Sequence, residues 1–222
     1  MGTLYLVRHG QASFGADDYD NLSELGHRQS RRLGQYWHER GLTFDAVLTG
    51  TLRRHAQTWA GIAAGGKHAQ EALALPGLNE YDSAAVIEAI HPEPLPRPDT
   101  PELYRQHFRL LRQGLTRWMQ GQLQPRGMPG WAEFLAGVID ALDHVRQRCE
   151  GNVLLVSSGG PIAAAIGHVL GAPPETIVEL NMRIRNSAVS EFVFTPKRHT
   201  LLSYNTLPHL DTPAHADWIT YA

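Results

Sequence analysis

Residues 3–10 of the chain read TLYLVRHG and decide the fold, because a run of strand-forming residues stops abruptly at Arg8, His9 and Gly10. Short apolar runs bounded by turn residues are typical of buried strands. The pattern predicts a first strand over residues 3–7 that ends in a loop. In layered α/β proteins ligands bind beyond the carboxyl ends of such strands, so chemistry is expected where the polar side chains begin.

Strand and helix patterns alternate along the rest of the chain. Ser23 is the expected N-cap of a first helix, whose apolar residues recur at helical spacing up to Gly41. Further elements are predicted as strands over 44–48, 73–78, 153–156, 188–194 and 200–205, and as helices over 52–64, 103–122, 131–148 and a stretch ending near Gly171. This alternation predicts an α/β fold, a three-layer sandwich with a mostly parallel central sheet flanked by helices.

Residues 92–130 interrupt the alternation. Five prolines between Pro92 and Pro101 preclude regular structure there, and residues 125–129 break the chain again. The helix between the two breaks has an apolar side with Phe108, Leu111, Leu115 and Trp118, and an arginine side with Arg105, Arg109 and Arg112. We expect a single domain over residues 1–222, with 92–130 as a cap-like helical insertion over the site. The arginines face either solvent or the substrate.

The composition excludes several classes of protein. The chain has 222 residues, 42% hydrophobic and 19% charged, with a formal net charge of −2. A near-neutral chain lacks the basic surface that nucleic-acid binding needs, and no apolar stretch reaches the ~20 residues of a membrane helix. With Cys149 as the single cysteine and no signal-peptide pattern in residues 1–10, we expect a cytoplasmic protein. None of the 12 histidines has metal-ligand spacing, so neither a metal nor another cofactor is expected.

Three further motifs follow Arg8-His9-Gly10 in order along the chain. They are Leu22-Ser23 with Gly26 and Gln29, the segment LRRHAQT at residues 52–58, and Leu78-Asn79-Glu80. In this order the motifs resemble the histidine phosphatase superfamily, the phosphoglycerate-mutase-like proteins, and the resemblance covers most of the chain. It implies their fold and a phosphoryl transfer that needs no metal and passes through a phosphohistidine.

His9 suits attack on phosphorus, because one imidazole nitrogen at a strand end can donate to a backbone carbonyl while the other faces a pocket. A buried histidine that only satisfies a polar network is the alternative. Phosphoryl transfer spreads charge over three oxygens, so cationic donors are needed around the site. Arg8 and Arg54 are the candidates for this clamp. Arg53 is expected at the surface, because adjacent helical residues point about 100° apart.

The resemblance implies that Glu80 is the acid that protonates the leaving group, a role that requires a raised pKa. Family members often continue with Gly-x-Trp-Glu-Gly, whereas residues 81–85 of this chain read YDSAA. Asp82 is the fallback acid. Ser13, in the loop that follows the first motif, either donates to phosphate or only forms a turn, and Gly15 stands where the family often has asparagine.

The largest departure from the family pattern is Ser158, because residues 157–160 read SSGG where the family has Ser-His-Gly-Gly. A neutral hydroxyl replaces a histidine that binds phosphoryl oxygens, and loss of one such donor typically lowers a rate by about 10²–10³. Partial compensation is expected from the amide of Gly159, and from that of Gly160, at the N-terminus of a helix whose first residue is Pro161.

Two other histidines could replace the missing one. His168 lies ten residues after Ser158, ~15 Å along a straight helix, which is too far. His55 follows Arg54 and is expected to point elsewhere, unless the helix bends.

Three functional hypotheses remain open at this stage. The first is a metal-independent phosphomonoesterase acting on a small phosphate ester. The second is a weakened or inactive module that binds a phosphate ester or phosphopeptide, which Ser158 motivates. A phosphoglycerate mutase ranks lower, because the segments that would retain a bisphosphorylated sugar acid are not recognisable. The apolar residues near Trp218 pack either on their own chain or in a homodimer.

Overall fold

The computed structural model describes residues 1–13, 20–96 and 99–221, and Gly15 therefore lies outside the described residues. Its strands are β1 (Gly2–Arg8), β2 (Ala46–Thr49), β3 (Leu73–Ala74), β4 (Gly151–Ser157), β5 (Val189–Thr195) and β6 (Arg198–Thr206). They form one sheet in the order β3-β2-β4-β1-β5-β6. The first four run parallel to one another, β5 is antiparallel to its neighbour β1, and β6 is antiparallel to β5, with which it forms a hairpin. The predicted α/β class and mostly parallel sheet are confirmed.

The helices cover both faces of this sheet. They are α1 (Glu24–His38), α2 (Arg53–Gly66), α3 (Ser83–Glu88), α4 (Pro101–Met119), α5 (Trp131–Arg148), α6 (Gly159–Leu170) and α7 (Pro174–Arg183). Alternate residues of a strand point to opposite faces, so Val7 belongs to the apolar cluster formed with α1 and α2, while Leu6 belongs to the larger cluster on the other face, to which α4, α5, α6 and α7 contribute. Leu154 and Leu155 are buried on opposite faces, as expected for a central parallel strand.

Several local signals act as the sequence predicts. The Ser23 hydroxyl accepts from the amide of Gly26 and caps α1, and α5 has the predicted bounds. Helix α6 ends at Gly171, whose φ of +63° suits glycine.

Other predictions about the elements are wrong. Of the strand predicted over 73–78, only Leu73–Ala74 pairs, because Pro76 lacks an amide donor and starts a short 3-10 turn. The helices α3 and α7 were not predicted. In α4, Arg105 and Arg109 are exposed, whereas Arg112 is half-buried and pairs with Glu179 of α7 at 2.8 Å. Phe108 is 37% exposed and does not join the buried apolar side.

The segment 92–130 packs through α4 against α3, α5 and α7. Trp118 is fully buried in this packing, and its Nε1 donates to the carbonyl of Pro129 at 3.1 Å. The role of this segment as a cap stays a prediction. Within the described ranges, no helix is both long and apolar enough to cross a membrane.

The C-terminal segment folds back onto its own chain. Trp218 packs against the small cluster of Ala188, Leu207 and Leu210, and the guanidinium of Arg28 lies 4.2 Å from its ring centroid. A homodimer stays a prediction.

Candidate active site

The ends of two neighbouring parallel strands bring the first site residues together. Strands β1 and β4 pair so that Arg8 lies opposite Ser157, and the His9 amide donates to the Ser157 carbonyl at 2.9 Å. His9 and Ser158 therefore leave the sheet side by side. Strand β2 pairs with the other edge of β4 and leads through Gly50 into α2, which begins at Arg53.

The imidazole of His9 is 2% exposed and held in one tautomer. Its Nδ1 lies 2.7 Å from the carbonyl oxygen of Gly10. Because a carbonyl only accepts, Nδ1 carries the proton and Nε2 keeps the lone pair in the neutral ring. Burial, followed by the charges of Arg8 and Arg54, lowers the pKa of His9 well below its usual value, so the ring is neutral at physiological pH.

Arg54 is 6% exposed and oriented by a carboxylate that the sequence analysis missed. Its Nη1 lies 2.9 Å from Oδ1 of Asp20, whose other oxygen accepts from the amide of Arg53 at 2.9 Å. Asp20 thus closes the N-terminus of α2, where Leu52 supplies no side-chain cap. The loop before α1 contains three aspartates, and no local signal shows which one turns toward Arg54.

His55 also faces the site, contrary to the sequence-based expectation. It is fully buried, its Nε2 lies 2.7 Å from the Ser158 hydroxyl, and its ring centroid lies 5.8 Å from that of His9. Nη2 of Arg54 lies 3.5 Å from the same hydroxyl. Arg54 and His55 are adjacent in the helix and start in different directions, but the arginine side chain is long enough for both to reach Ser158. His168 lies in the last turn of α6, as expected, away from this cluster.

The carboxylate of Glu80 lies at the N-terminus of α6. Its two oxygens accept from the Gly160 amide at 3.1 and 3.2 Å. The anion site predicted at these amides is therefore partly filled by the protein itself, and Pro161 is the third residue of α6, not the first. Burial raises the pKa of Glu80, against the lowering effects of the Gly160 amide and of Arg54 and Arg8.

Gly160 makes this position of the carboxylate possible. A Cβ at Gly160 would lie 2.2 Å from Oε1 of Glu80 and 2.6 Å from the Tyr81 ring. The Ser157 hydroxyl fixes the segment before Glu80 by donating to the Leu78 carbonyl at 2.6 Å. Tyr81 in turn packs near Trp118 of α4, with ring centroids 5.8 Å apart, which connects the 92–130 segment to the site.

Arg8 is within electrostatic reach of both His9 and Glu80, since its charge lowers the pKa of each. Its Nη1 also donates to the carbonyl oxygens of Ile184 and Tyr221, at 2.5 and 2.6 Å. Arg8 thus joins the site to the C-terminal segment, and its contact with phosphate stays a prediction.

Two predicted residues have other surroundings in the structure. The described contact of Ser13 is with the turn that follows the first motif, where its amide donates to the Asn21 carbonyl at 2.8 Å. Asp82 is exposed and accepts from the amides of Ala84 and Ala85, so it caps α3, which disfavours its role as fallback acid. A phosphate contact from Ser13, like one from the Gly159 amide beside Glu80, stays a prediction.

The motif glycine Gly10 has a packing role. A Cβ there would lie 2.4 Å from the carbonyl oxygen of Gly26 on α1, so glycine permits the close approach of that helix. The Gly10 amide donates to the Thr58 hydroxyl at 3.1 Å, which connects the first motif to α2. Among the described residues, no group of three or more His, Cys, Asp or Glu side chains is arranged to hold a metal ion.

The family model of the histidine phosphatase superfamily, branch 1, matches residues 4–207 of this chain. The chain belongs to the histidine phosphatase superfamily. Among solved structures, a phosphoserine phosphatase mutant from Entamoeba histolytica in complex with phosphoserine is similar over 95% of this chain and 100% of its own, with a TM-score of 0.64 and 19% identity.

Two further structures share the superfamily fold. A putative alpha-ribazole-5′-P phosphatase from Escherichia coli K-12 is similar over 93% of this chain and 97% of its own, with a TM-score of 0.65 and 20% identity. A phosphoglycerate mutase from Bacillus anthracis is similar over 94% of both chains, with a TM-score of 0.65 and 18% identity. These matches establish the fold of this histidine phosphatase relative and leave its substrate open.

Proposed function

We propose that the protein is a metal-independent phosphomonoesterase that acts on a small phosphate ester through a phosphohistidine at His9. The observation that carries this proposal is the fixed tautomer of His9. Nδ1 donates to the Gly10 carbonyl at 2.7 Å, which leaves the Nε2 lone pair available beside Arg54. A neutral, oriented and desolvated imidazole is the form required for attack on phosphorus.

In the first half-reaction, Nε2 of His9 forms a bond to phosphorus while the bond from phosphorus to the ester oxygen breaks. The leaving alkoxide takes the proton from the carboxylic acid of Glu80, whose raised pKa favours the protonated form. The Gly10 carbonyl stabilises the positive charge that develops on the ring, and Arg54 stabilises the negative charge on the phosphoryl oxygens.

In the second half-reaction, water attacks phosphorus and gives its proton to the Glu80 carboxylate. The bond between phosphorus and Nε2 breaks, inorganic phosphate leaves, and both residues return to their starting forms. Ser158 supplies a neutral donor beside Arg54, so we expect a slower phosphoryl transfer than a cationic donor would give.

The test is to mix the protein with an aryl phosphate, quench rapidly, and look for phosphate on His9 that is labile in acid and stable in base. We expect the label, together with continuous release of inorganic phosphate. Saturable phosphate-ester binding with no label and no release would instead favour the binding module. With 3-phosphoglycerate, isomer exchange without phosphate release would indicate a mutase.

A further inference from the structure

His55 is a buried imidazole that the proposed mechanism does not use. It is fully buried in the first turn of α2, and within the described residues its Nδ1 has no hydrogen-bond partner. Burial, followed by the charge of Arg54, lowers the pKa of His55 to about 3. The protein therefore keeps a neutral, partly unsatisfied polar ring beside the nucleophile, which is unfavourable for stability alone.

The strand ends leave room for this ring. A Cβ on Gly50 would lie 2.2 Å from Nδ1 of His55, so glycine is needed for the ring to occupy its place. The Gly50 amide donates to the Val156 carbonyl at 3.1 Å, which fixes the end of β2 against β4. The ring is thus held between the end of β2 and Ser158 at the end of β4.

The tautomer of His55 determines where the Ser158 proton points. Its oxygen lies 2.7 Å from Nε2 of His55 and 3.5 Å from Nη2 of Arg54, and an arginine nitrogen only donates. A neutral imidazole has one N–H, and if Nε2 carries it, the Ser158 oxygen accepts from both neighbours. Its hydroxyl hydrogen must then point away from both of them.

We propose that His55 is a positioning residue of the phosphoryl site, which donates from Nε2 to Ser158 and so directs the Ser158 hydroxyl at a non-bridging oxygen of the phosphoryl group. The nature of this bound group rests on the proposed function. The ligand class is a phosphate monoester or inorganic phosphate, and no bond is made or broken at His55.

The positions of the two residues support this arrangement. Residues 52–58 resemble the family segment Leu-x-Arg-Ala-x-Gln-Thr, in which alanine occupies the position of His55. In the family's Ser-His-Gly-Gly, histidine occupies the position of Ser158. This chain departs from both patterns at two side chains that contact each other at 2.7 Å. The imidazole is therefore at position 158 in the family pattern and at position 55 in this chain, as expected if the phosphoryl site needs an imidazole at this contact.

The experiment measures the affinity for inorganic phosphate by calorimetry, and kcat and KM with an aryl phosphate. His55→Leu should weaken phosphate binding and lower kcat by about 10- to 100-fold, as loss of a supporting hydrogen bond does. His55→Gln, which retains an N–H donor near the position of Nε2, should recover most of the affinity. Because His55 acts through Ser158, adding His55→Leu to Ser158→Ala should cause little further loss.

The double variant His55→Ala with Ser158→His moves the imidazole to position 158, as in the family pattern, and should bind phosphate at least about tenfold more tightly than His55→Ala alone. His209→Leu is the matched control, because it removes another buried histidine that contacts a serine, and it should leave phosphate affinity unchanged. Thermal unfolding of each variant identifies those that are folded.

Wild-type phosphate affinity in folded His55→Leu would overturn the proposal. So would a folded double variant, His55→Ala with Ser158→His, that binds phosphate no better than His55→Ala. These outcomes are distinct from failure of the proposed function. If the affinity for phosphate depends on His55 but the protein never releases product, the positioning role is supported and phosphatase activity is contradicted. If His55→Leu and the wild type turn over substrate at the same rate, phosphatase activity is supported and the positioning role is contradicted.

Discussion

The residues that the structure describes include two buried histidine–serine pairs that are nearly identical as chemical groups. Nε2 of His55 lies 2.7 Å from Ser158, and Nε2 of His209 lies 2.9 Å from Ser187. Burial is the largest cause that lowers the pKa of each histidine to about 3. Within the described part of the chain, each ring also has an Nδ1 without a hydrogen-bond partner.

The two pairs differ in what surrounds them. The first lies beside the Arg54 guanidinium and the His9 ring, at the carboxyl ends of parallel strands. The second lies beside the apolar cluster of Ala188 and its neighbours, and it reaches His9 through the backbone, because the Ser187 amide donates to the His9 carbonyl at 3.2 Å. Identical hydrogen bonds can therefore serve a reaction at one place and hold a loop at another, and only the surroundings distinguish them.

The largest expected difference between the two regions appears on removal of a histidine. His9→Ala should abolish the phosphoenzyme and lower kcat by at least about 10³-fold, because no other described nitrogen has its fixed tautomer beside Arg54. His209→Ala should lower the melting temperature and keep kcat. Rapid-quench and steady-state assays on both variants measure this contrast. Comparable losses of kcat in the two folded variants would contradict the assignment of His9 to the reaction and of His209 to stability.

A second contrast concerns two carboxyl groups, Glu80 and Asp82. Glu80→Gln should lower kcat/KM, which reports formation of the phosphoenzyme, by about 10²–10⁴ for an alkyl phosphate and much less for an aryl phosphate whose leaving group needs no proton. Asp82→Asn should retain activity, since Asp82 caps α3 at the surface. A leaving-group series assayed with both variants measures the effect. An equal loss for all esters in Glu80→Gln would contradict the role of Glu80 as acid.

The environment of His55 can also be changed without replacing it. Gly50→Ala introduces a Cβ 2.2 Å from Nδ1 of His55 and should destabilise the protein by about 1–3 kcal/mol while displacing the ring. Combining Gly50→Ala with His55→Ala should relieve part of this cost, because the clash with the ring is removed while Oδ1 of Asn79 stays 2.8 Å from the Cβ. Denaturant unfolding of the four proteins gives the coupling energy. Additive free energies would show that Gly50 and His55 do not contact each other.

The pH dependence of stability is the property in which the two pairs should agree. The folded pKa of about 3 in each histidine lies below the ordinary value of 6.5. Each ring therefore gains a proton only on unfolding between these values, and stability is lost as pH falls below 6.5. The expected slope is about 1.4 kcal/mol per pH unit for each histidine.

Denaturant titrations between about pH 7 and pH 5.5 measure this slope. His55→Leu and His209→Leu should each reduce the wild-type slope by the same amount, and His9, whose pKa is also lowered, contributes a further proton. An unchanged slope in either variant would mean that its histidine is protonated in the folded protein.

Most of the fold could be predicted from local patterns. Helix α5 and strand β4 have strong periodic or continuous apolar signals, and Ser23 and Gly171 end their helices by local chemistry. The failures have physical reasons. Strand β3 is short because Pro76 interrupts pairing, and α3 has only six residues, too few for a periodic pattern.

The site was predictable where residues adjoin a strand end, as His9 and Ser158 do. Contacts that depend on tertiary packing were not. The sequence alone does not show that Asp20 turns back to Arg54, that the Glu80 carboxylate fills the N-terminus of α6, or that His55 reaches Ser158. Gly50 was the available signal for His55, but a glycine after a strand is too common to identify a neighbour.

The measurement that tests the account most directly is a crystal structure of the protein soaked with orthovanadate. The account predicts vanadium bonded to Nε2 of His9, with one equatorial oxygen about 2.7–3.0 Å from the Ser158 hydroxyl and another near Arg54. Vanadate bound away from His9, or a His9 ring turned so that Nε2 meets the Gly10 carbonyl, would contradict it.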